Sequence, residues 1–166
     1  DFSFSKCVMK AGMIWDEVER AGLSGVKGVW CHEAGAARML NIISIKQAYA
    51  GHSKQAAMMA ANCQSGSYLG RFVVVVDDDV DPTDLFDVMW AMCTRCDPVE
   101  DIEFIRKAWS GPLDPRIPRG TSTNSRAVID ACRPFEMLKD FPPVACASPE
   151  LKQRVAEKFK SYLVDL

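Results

Sequence analysis

RFVVVVDDDVDPTDLFDVMWAMCTRCDP, residues 71–98, decides the fold. Four valines, Val73 to Val76, run directly into Asp77, Asp78 and Asp79. An uninterrupted β-branched run suits a strand buried on both faces, as in a parallel sheet covered by helices. Asp81 is then expected to cap a helix, with Pro82 at its first position and Asp84 in its first turn. Leu85, Val88, Met89, Trp90 and Met92 carry that helix to about Cys96-Asp97-Pro98. The aspartates fall at the carboxyl end of the strand, where open α/β sheets place their ligands.

Outward from this stretch the chain alternates. Ala11–Ala21 reads as an amphipathic helix, with Ile14, Val18 and Ala21 in helical register and Gly22 as its stop. Val26–Cys31 and Leu40–Ile45 read as strands joined through His32-Glu33-Ala34-Gly35-Ala36. Gly51-His52-Ser53 opens a helix over Lys54–Cys63, and Gln64-Ser65-Gly66 punctuates it. Phe72–Val76 is the central strand, and Ile102–Ile105 and Ala127–Cys132 read as two more. Ser110–Ser125 is expected to be loop, broken by Pro112, Pro115, Pro118 and Gly120. Pro142-Pro143 breaks the chain again, and Ser148-Pro149 caps a terminal helix to about Leu163. This alternation predicts a single α/β domain, with a mainly parallel sheet sandwiched by helices in a Rossmann-like three-layer arrangement.

A chain of 166 residues buries roughly 70% of its unfolded surface and needs no staples. Net charge −2 and a pI near 5.7 argue against a nucleic-acid partner, which leaves a basic footprint. No apolar run approaches the ~20 residues of a membrane helix. Seven irregularly spaced cysteines, several in apolar settings, point to free thiols in a reduced, cytoplasmic protein. Asp1 and the helical pattern close behind it suggest a piece of a longer polypeptide.

Several constellations offer chemistry. Carboxylates at a strand end can hold Mg²⁺ or Mn²⁺, and the Asp77–Asp79 cluster would serve a stand-alone metal-dependent transferase. No G-x-x-x-x-G-K-[ST] phosphate loop accompanies it. In the competing reading Asp81 and Asp84 serve the helix start, and the other aspartates are solvated or paired with Arg or Lys. Cys93-Thr94-Arg95-Cys96 lacks a second ligand pair for zinc beyond Cys31-His32. It also ends a helix instead of starting one, so thiol redox chemistry is disfavoured. His52, beside Gly51, is either an acid/base or anion contact or an ordinary part of a helix start. His32-Glu33 is a pair without a third ligand. Trp109-Ser110-Gly111-Pro112-Leu113-Asp114-Pro115-Arg116 sets Trp and Leu among residues that stiffen a backbone, either as a loop presenting apolar groups to a ligand or subunit or as a buried loop crossing the sheet edge.

The ordered blocks are more specific than any single motif. They are Gly25-Val26-Lys27-Gly28-Val29-Trp30, Ser44-Ile45-Lys46-Gln47, Gly51-His52-Ser53-Lys54-Gln55-Ala56, Val75 to Pro82, Trp90 to Pro98, and Gly111 to Pro115. In this order and spacing, over essentially the whole chain, they resemble the C-terminal domain of the UbiD family of decarboxylases. The resemblance implies reversible non-oxidative decarboxylation of an aromatic or α,β-unsaturated carboxylic acid by the complete protein. It implies prenylated FMN with Mn²⁺ and K⁺, all bound upstream of this chain, together with the catalytic Arg and two Glu. Residues 1–166 would be a C-terminal domain that drives homo-oligomerisation, to a dimer or hexamer, and lids the substrate pocket. It would hold no catalytic, cofactor or metal residue of its own and would be inactive in isolation. Leu113 and Gly111 carry over as substrate contacts. A glycine where some relatives have an aromatic leads to the expectation of extra room and a bulkier substrate.

Overall fold

The computed structural model describes residues 2–160. The order of elements is α1 (Phe2–Arg20), β1 (Val26–Cys31), β2 (Leu40–Ile45), α2 (His52–Asn62), α3 (Gln64–Ser67), β3 (Phe72–Asp77), α4 (Leu85–Arg95), β4 (Ile102–Trp109), β5 (Thr123–Ala131) and α5 (Pro149–Lys158). The described residues form one five-stranded sheet in the order β1-β2-β3-β5-β4. Its three central strands, β2, β3 and β5, are parallel, and the two edges, β1 and β4, are antiparallel to their neighbours.

The valine run explains the layers. Val73 and Val75 pack into one core with Ile14 and Val18 of α1 and Ala56, Ala57 and Ala60 of α2. Val74 and Val76 face the other way, into a second core with Val88 and Ala91 of α4. All four valines are at most 1% exposed. Alternate residues of a strand point to opposite faces, so a strand between two helical layers must be apolar on both, as Val73 to Val76 are. Among the described residues no helix is long and apolar enough to cross a membrane.

Element boundaries differ from expectation in informative places. Helix α1 starts nine residues earlier than the Ala11 expected, at Phe2. Its buried stripe is Cys7, Ala11, Ile14 and Val18; Cys7 extends the periodicity by one turn, and exposed Phe2, Phe4, Val8 and Met9 blur it. Helix α4 begins at Leu85, not at Pro82, and its cap is Asp84, whose carboxylate accepts from the backbone N–H of Phe86 at 2.8 Å. Asp81 instead closes its own turn, accepting from Thr83 N and Oγ1 at 2.8 and 2.7 Å. Such a local turn competes with helix. Asp84→Ala is therefore expected to cost about 1 kcal/mol, while Asp81→Ala leaves α4 intact. Urea unfolding and amide exchange over residues 85–88 distinguish the two sites.

Strand β4 runs on to Trp109 through a bulge between Ile105 and Ala108, with Lys107 at φ 54°. Strand β5 begins at Thr123, inside the expected loop. Ser148 caps α5, its Oγ accepting from Leu151 N at 3.2 Å. The expected continuation to Leu163 lies outside the described residues.

Candidate functional site

Two constructions stand at opposite ends of the central strands. At the carboxyl end of β3, Asp77 is 2% exposed. Its carboxylate accepts from Gln47 Nε2 at 2.8 Å, Arg95 Nη1 at 2.9 Å, and the backbone N and Nε of Arg133 at 2.8 and 3.0 Å. Arg95, from the last turn of α4, also holds Asp79 through two bonds of 2.8 and 2.9 Å. Those bonds, followed by the nearby Arg95 and Arg133 charges, outweigh the cost of burial and hold the Asp79 carboxyl below its usual range.

The acidic run is thus a salt-bridge hub: Asp77 and Asp79 face arginines, Asp78 faces solvent, and Asp81 and Asp84 shape the turn into α4. Among the described residues, no group of three or more His, Cys, Asp and Glu is placed to hold a metal ion. Gln47 Nε2 also donates to Arg133 O at 2.8 Å, which ties the strand ends together. Beside that tie lie a cavity of 220 Å³ next to Gln47 and one of 370 Å³ lined by Asp79, Trp90, Arg95, Arg133 and Phe141.

The other chemical candidates are dispersed. His52 is fully buried, stacked on Tyr49 at 4.3 Å, and its Nδ1 accepts from Ala48 N at 3.2 Å. It closes the turn into α2, for which Gly51 at φ 80° supplies the left-handed cap, and this is the helix-start reading of the motif. His32 is 5% exposed and bonds Pro82 O at 3.1 Å. Cys93 is exposed and Cys96 half-buried, and all seven cysteines are free thiols. Burial raises the Cys31 thiol to about 12, despite the Lys10 ammonium nearby, so it stays protonated and inert.

At the opposite end, the loop from Ser110 to Ser122 connects β4 to β5. Ser110 N donates to Ser122 O at 2.7 Å and closes it. Its anchor is Asp114, 1% exposed, which pairs with Arg71 from the residue before β3 and accepts from Arg116 N at 2.9 Å and Asn124 Nδ2 at 3.4 Å. Burial pushes the Asp114 carboxyl up, but Arg71, Arg116 N and Asn124 together bring it below its ordinary value. Asn124 Nδ2 further donates to Gly70 O at 2.9 Å and Ser110 Oγ at 3.2 Å. On this scaffold Leu113 stands out at 66% exposure. Of the two readings of this Pro-rich loop, its exposed Leu113 fits the presenting loop and not the buried one.

Gly111 corrects one expectation. A Cβ built there meets Tyr68 Cε2 at 2.3 Å and Cδ2 and Cζ at 2.9 Å. The volume a side chain would take is filled by the Tyr68 ring, itself 6.3 Å from the ring of Trp109. The expected room at this glycine is therefore taken by Tyr68. Tyr68, Arg71, Asp114 and Asn124 were not singled out from sequence. Only Asp114, between two prolines, carried a local signal as a turn residue.

The sequence matches the family described as 3-octaprenyl-4-hydroxybenzoate carboxy-lyase C-terminal domain, the UbiD C-terminal domain, over residues 4–131. It is 36% identical over 110 residues to a phenolic acid decarboxylase of Sedimentibacter hydroxybenzoicus, covering 66% of this chain and 22% of that protein. The fold is similar to that of a UbiD-class enzyme from Pelotomaculum thermopropionicum solved in complex with FMN. There the TM-score is 0.74 at 29% identity, covering 87% of this chain and 31% of the other; an evolved dimeric form of that enzyme is known in complex with prFMN. It is also similar to the closed form of the vanillic acid decarboxylase of S. hydroxybenzoicus, with TM-score 0.76 at 25% identity, covering 98% and 34% of the two chains. That enzyme has been solved in an open form as well. The chain thus spans about a fifth of the curated relative and about a third of the solved ones. Its sequence blocks and helix-covered sheet agree with this match: the chain belongs to the UbiD C-terminal domain family.

Proposed function

We propose that residues 1–166 are the C-terminal lid and oligomerisation domain of a cytoplasmic UbiD-type carboxy-lyase. The complete protein would decarboxylate an aromatic or α,β-unsaturated carboxylic acid reversibly and without net oxidation. The observation that carries this reading is the Leu113 loop: an exposed apolar side chain on a backbone held by Asp114, Arg71 and Asn124. Leu113 supplies apolar contact to the substrate's body, and Gly111, packed on Tyr68, sets the height at which Leu113 stands. A relative known in open and closed forms supports a lid that moves as a body.

This chain does not fit the family's metal: its strand-end carboxylates are neutralised by Arg95 and Arg133. We assign prenylated FMN, Mn²⁺ and K⁺, and the chemistry prenylated FMN supplies when bound, to the rest of the polypeptide. The same arginines remove the basis for a stand-alone metal-dependent transferase. Exposed Phe2 on α1 and Phe86 and Met89 on α4 support contacts with the remaining domains and with further copies.

In the complete enzyme, Leu113→Ala is expected to lower kcat/KM roughly tenfold or more, the worth of a lost apolar pocket contact. Stability should hold within about 0.5 kcal/mol, because the side chain is exposed. Unchanged kcat/KM across a panel of aromatic acids would remove Leu113 from the pocket.

A further inference from the structure

A second feature lies on the other side of Tyr68. A cavity of 340 Å³ opens between α1, the β1–β2 connection and α3, walled by Met9, Met13 and Tyr68 and ringed by Lys6, Lys10 and Arg38. No carboxylate lines it. Glu17, which reaches the wall residue Ser65, is already engaged, accepting from Ser65 N at 3.0 Å and Ser65 Oγ at 2.6 Å. Lys10 is half-buried, and its Nζ donates to Arg38 O at 2.7 Å and Tyr68 O at 3.0 Å. An ammonium has three N–H donors, so one remains. Among the described residues neither Lys10 nor Arg38 has a carboxylate in ion-pair range.

Behind α3 sits another cation without an anion. Arg126 is 2% exposed and donates to Ala61 O at 2.9 Å, Ser67 O at 3.3 Å and Trp109 O. Burial, and secondarily the Arg38 and Arg126 charges, push Lys10 down to about 8 in spite of the nearby Cys31 and Cys63 thiols. Proteins rarely leave partly buried cations grouped without a counter-charge. An apolar, thioether-lined wall beside them favours a flat or aromatic body on the anion.

We infer that this cavity binds a small organic carboxylate with a flat apolar body, its carboxylate on Lys10 and Arg38 and its body between Met9, Met13 and Tyr68. The site lies entirely on this chain and does not rest on the decarboxylase reading. Recruitment of an acidic protein segment is the competing use of the same charges, and the two are separated by the probe.

Benzoate is the probe, titrated into the chain while the methyl resonances of Met9 and Met13 are followed by NMR. Saturable shifts at both methyls are expected, with benzamide binding more weakly because it lacks the charge. Lys10→Met should weaken benzoate roughly tenfold or more, the worth of a hydrogen bond to a charged group. Lys107→Met, remote from the cavity, should change nothing. Met13→Trp, at a 53% exposed position, fills the cavity and should abolish the shifts even if Lys10→Met fails to fold. Absence of saturable shifts, equal affinity for benzamide, or full affinity in folded Met13→Trp would overturn the assignment. Displacement of nothing but an acidic peptide from the cavity would assign it to a protein partner instead.

Discussion

Asp77→Ala is expected to destabilise the domain by about 3–5 kcal/mol, the cost of breaking a buried ion pair from one side. The carboxylate accepts four hydrogen bonds from three residues, and all four are lost together. Arg95, 6% exposed, would be left with Asp79 alone. The loss also leaves the backbone N–H of Arg133 unpaired and Gln47 Nε2 with Arg133 O alone, so β3 drops out of the tie between the strand ends. Asp78→Ala, one residue on and exposed, should stay within about 0.5 kcal/mol. Urea unfolding at pH 7 separates them, and a cost below about 1 kcal/mol at Asp77 would mean that the hub is solvated. Asp79 adds a pH signature. Its folded-state carboxyl is depressed, first by the Arg95 hydrogen bond. Its contribution is therefore present above the unfolded value of 3.8 and is lost as pH falls below it through the lower folded value.

Gly111→Ala is expected to cost about 1–3 kcal/mol, the usual penalty for overpacking. The added Cβ falls 2.3 Å from a carbon of the Tyr68 ring. Trp109 lies alongside that ring, and Tyr68 also walls the cavity beside α1. Either the ring rotates into the α1–α3 cavity or the loop lifts, and lifting moves Leu113 two residues on. Tyr68→Ala in the same chain removes the obstacle, so the double variant should recover stability relative to the sum of the singles by about 1–2 kcal/mol. Additive losses would show that the clash is relieved without Tyr68. In the complete enzyme the single variant should lower kcat/KM and the double variant should restore part of it. A purely structural role for Gly111 would move stability alone.

How much of this was legible follows from the range of each interaction. Strands β1 and β2 have the bounds that the residue pattern implied, because alternation, β-branching and turn residues act between neighbours. The two-sided burial of β3 was legible for the same reason. The start of α4 was misplaced by three residues: Asp81 and Asp84 are both competent caps, and only the Thr83 hydroxyl and amide binding Asp81 chose between them. Strand β5 was shortened because Thr123, Asn124 and Ser125 have the composition of a loop. They are nonetheless held in the ladder against Trp109 and Ala108 of β4, and Asn124 does its bonding from there.

The amino-acid sequence by itself determined the layers of this protein, the order of its elements and its family, since these rest on local periodicity and on ordered blocks of residues. The tertiary structure alone decided what the conspicuous residues do. It paired Asp77 with Arg95 from 18 residues away and Asp114 with Arg71 from 43, converting an apparent metal cluster into a strut and a turn into an anchor. It also set Tyr68 in the space that Gly111 seemed to leave open. Charge neutralisation and excluded volume depend on which groups the fold brings within a few ångströms, and no spacing along the chain records that distance.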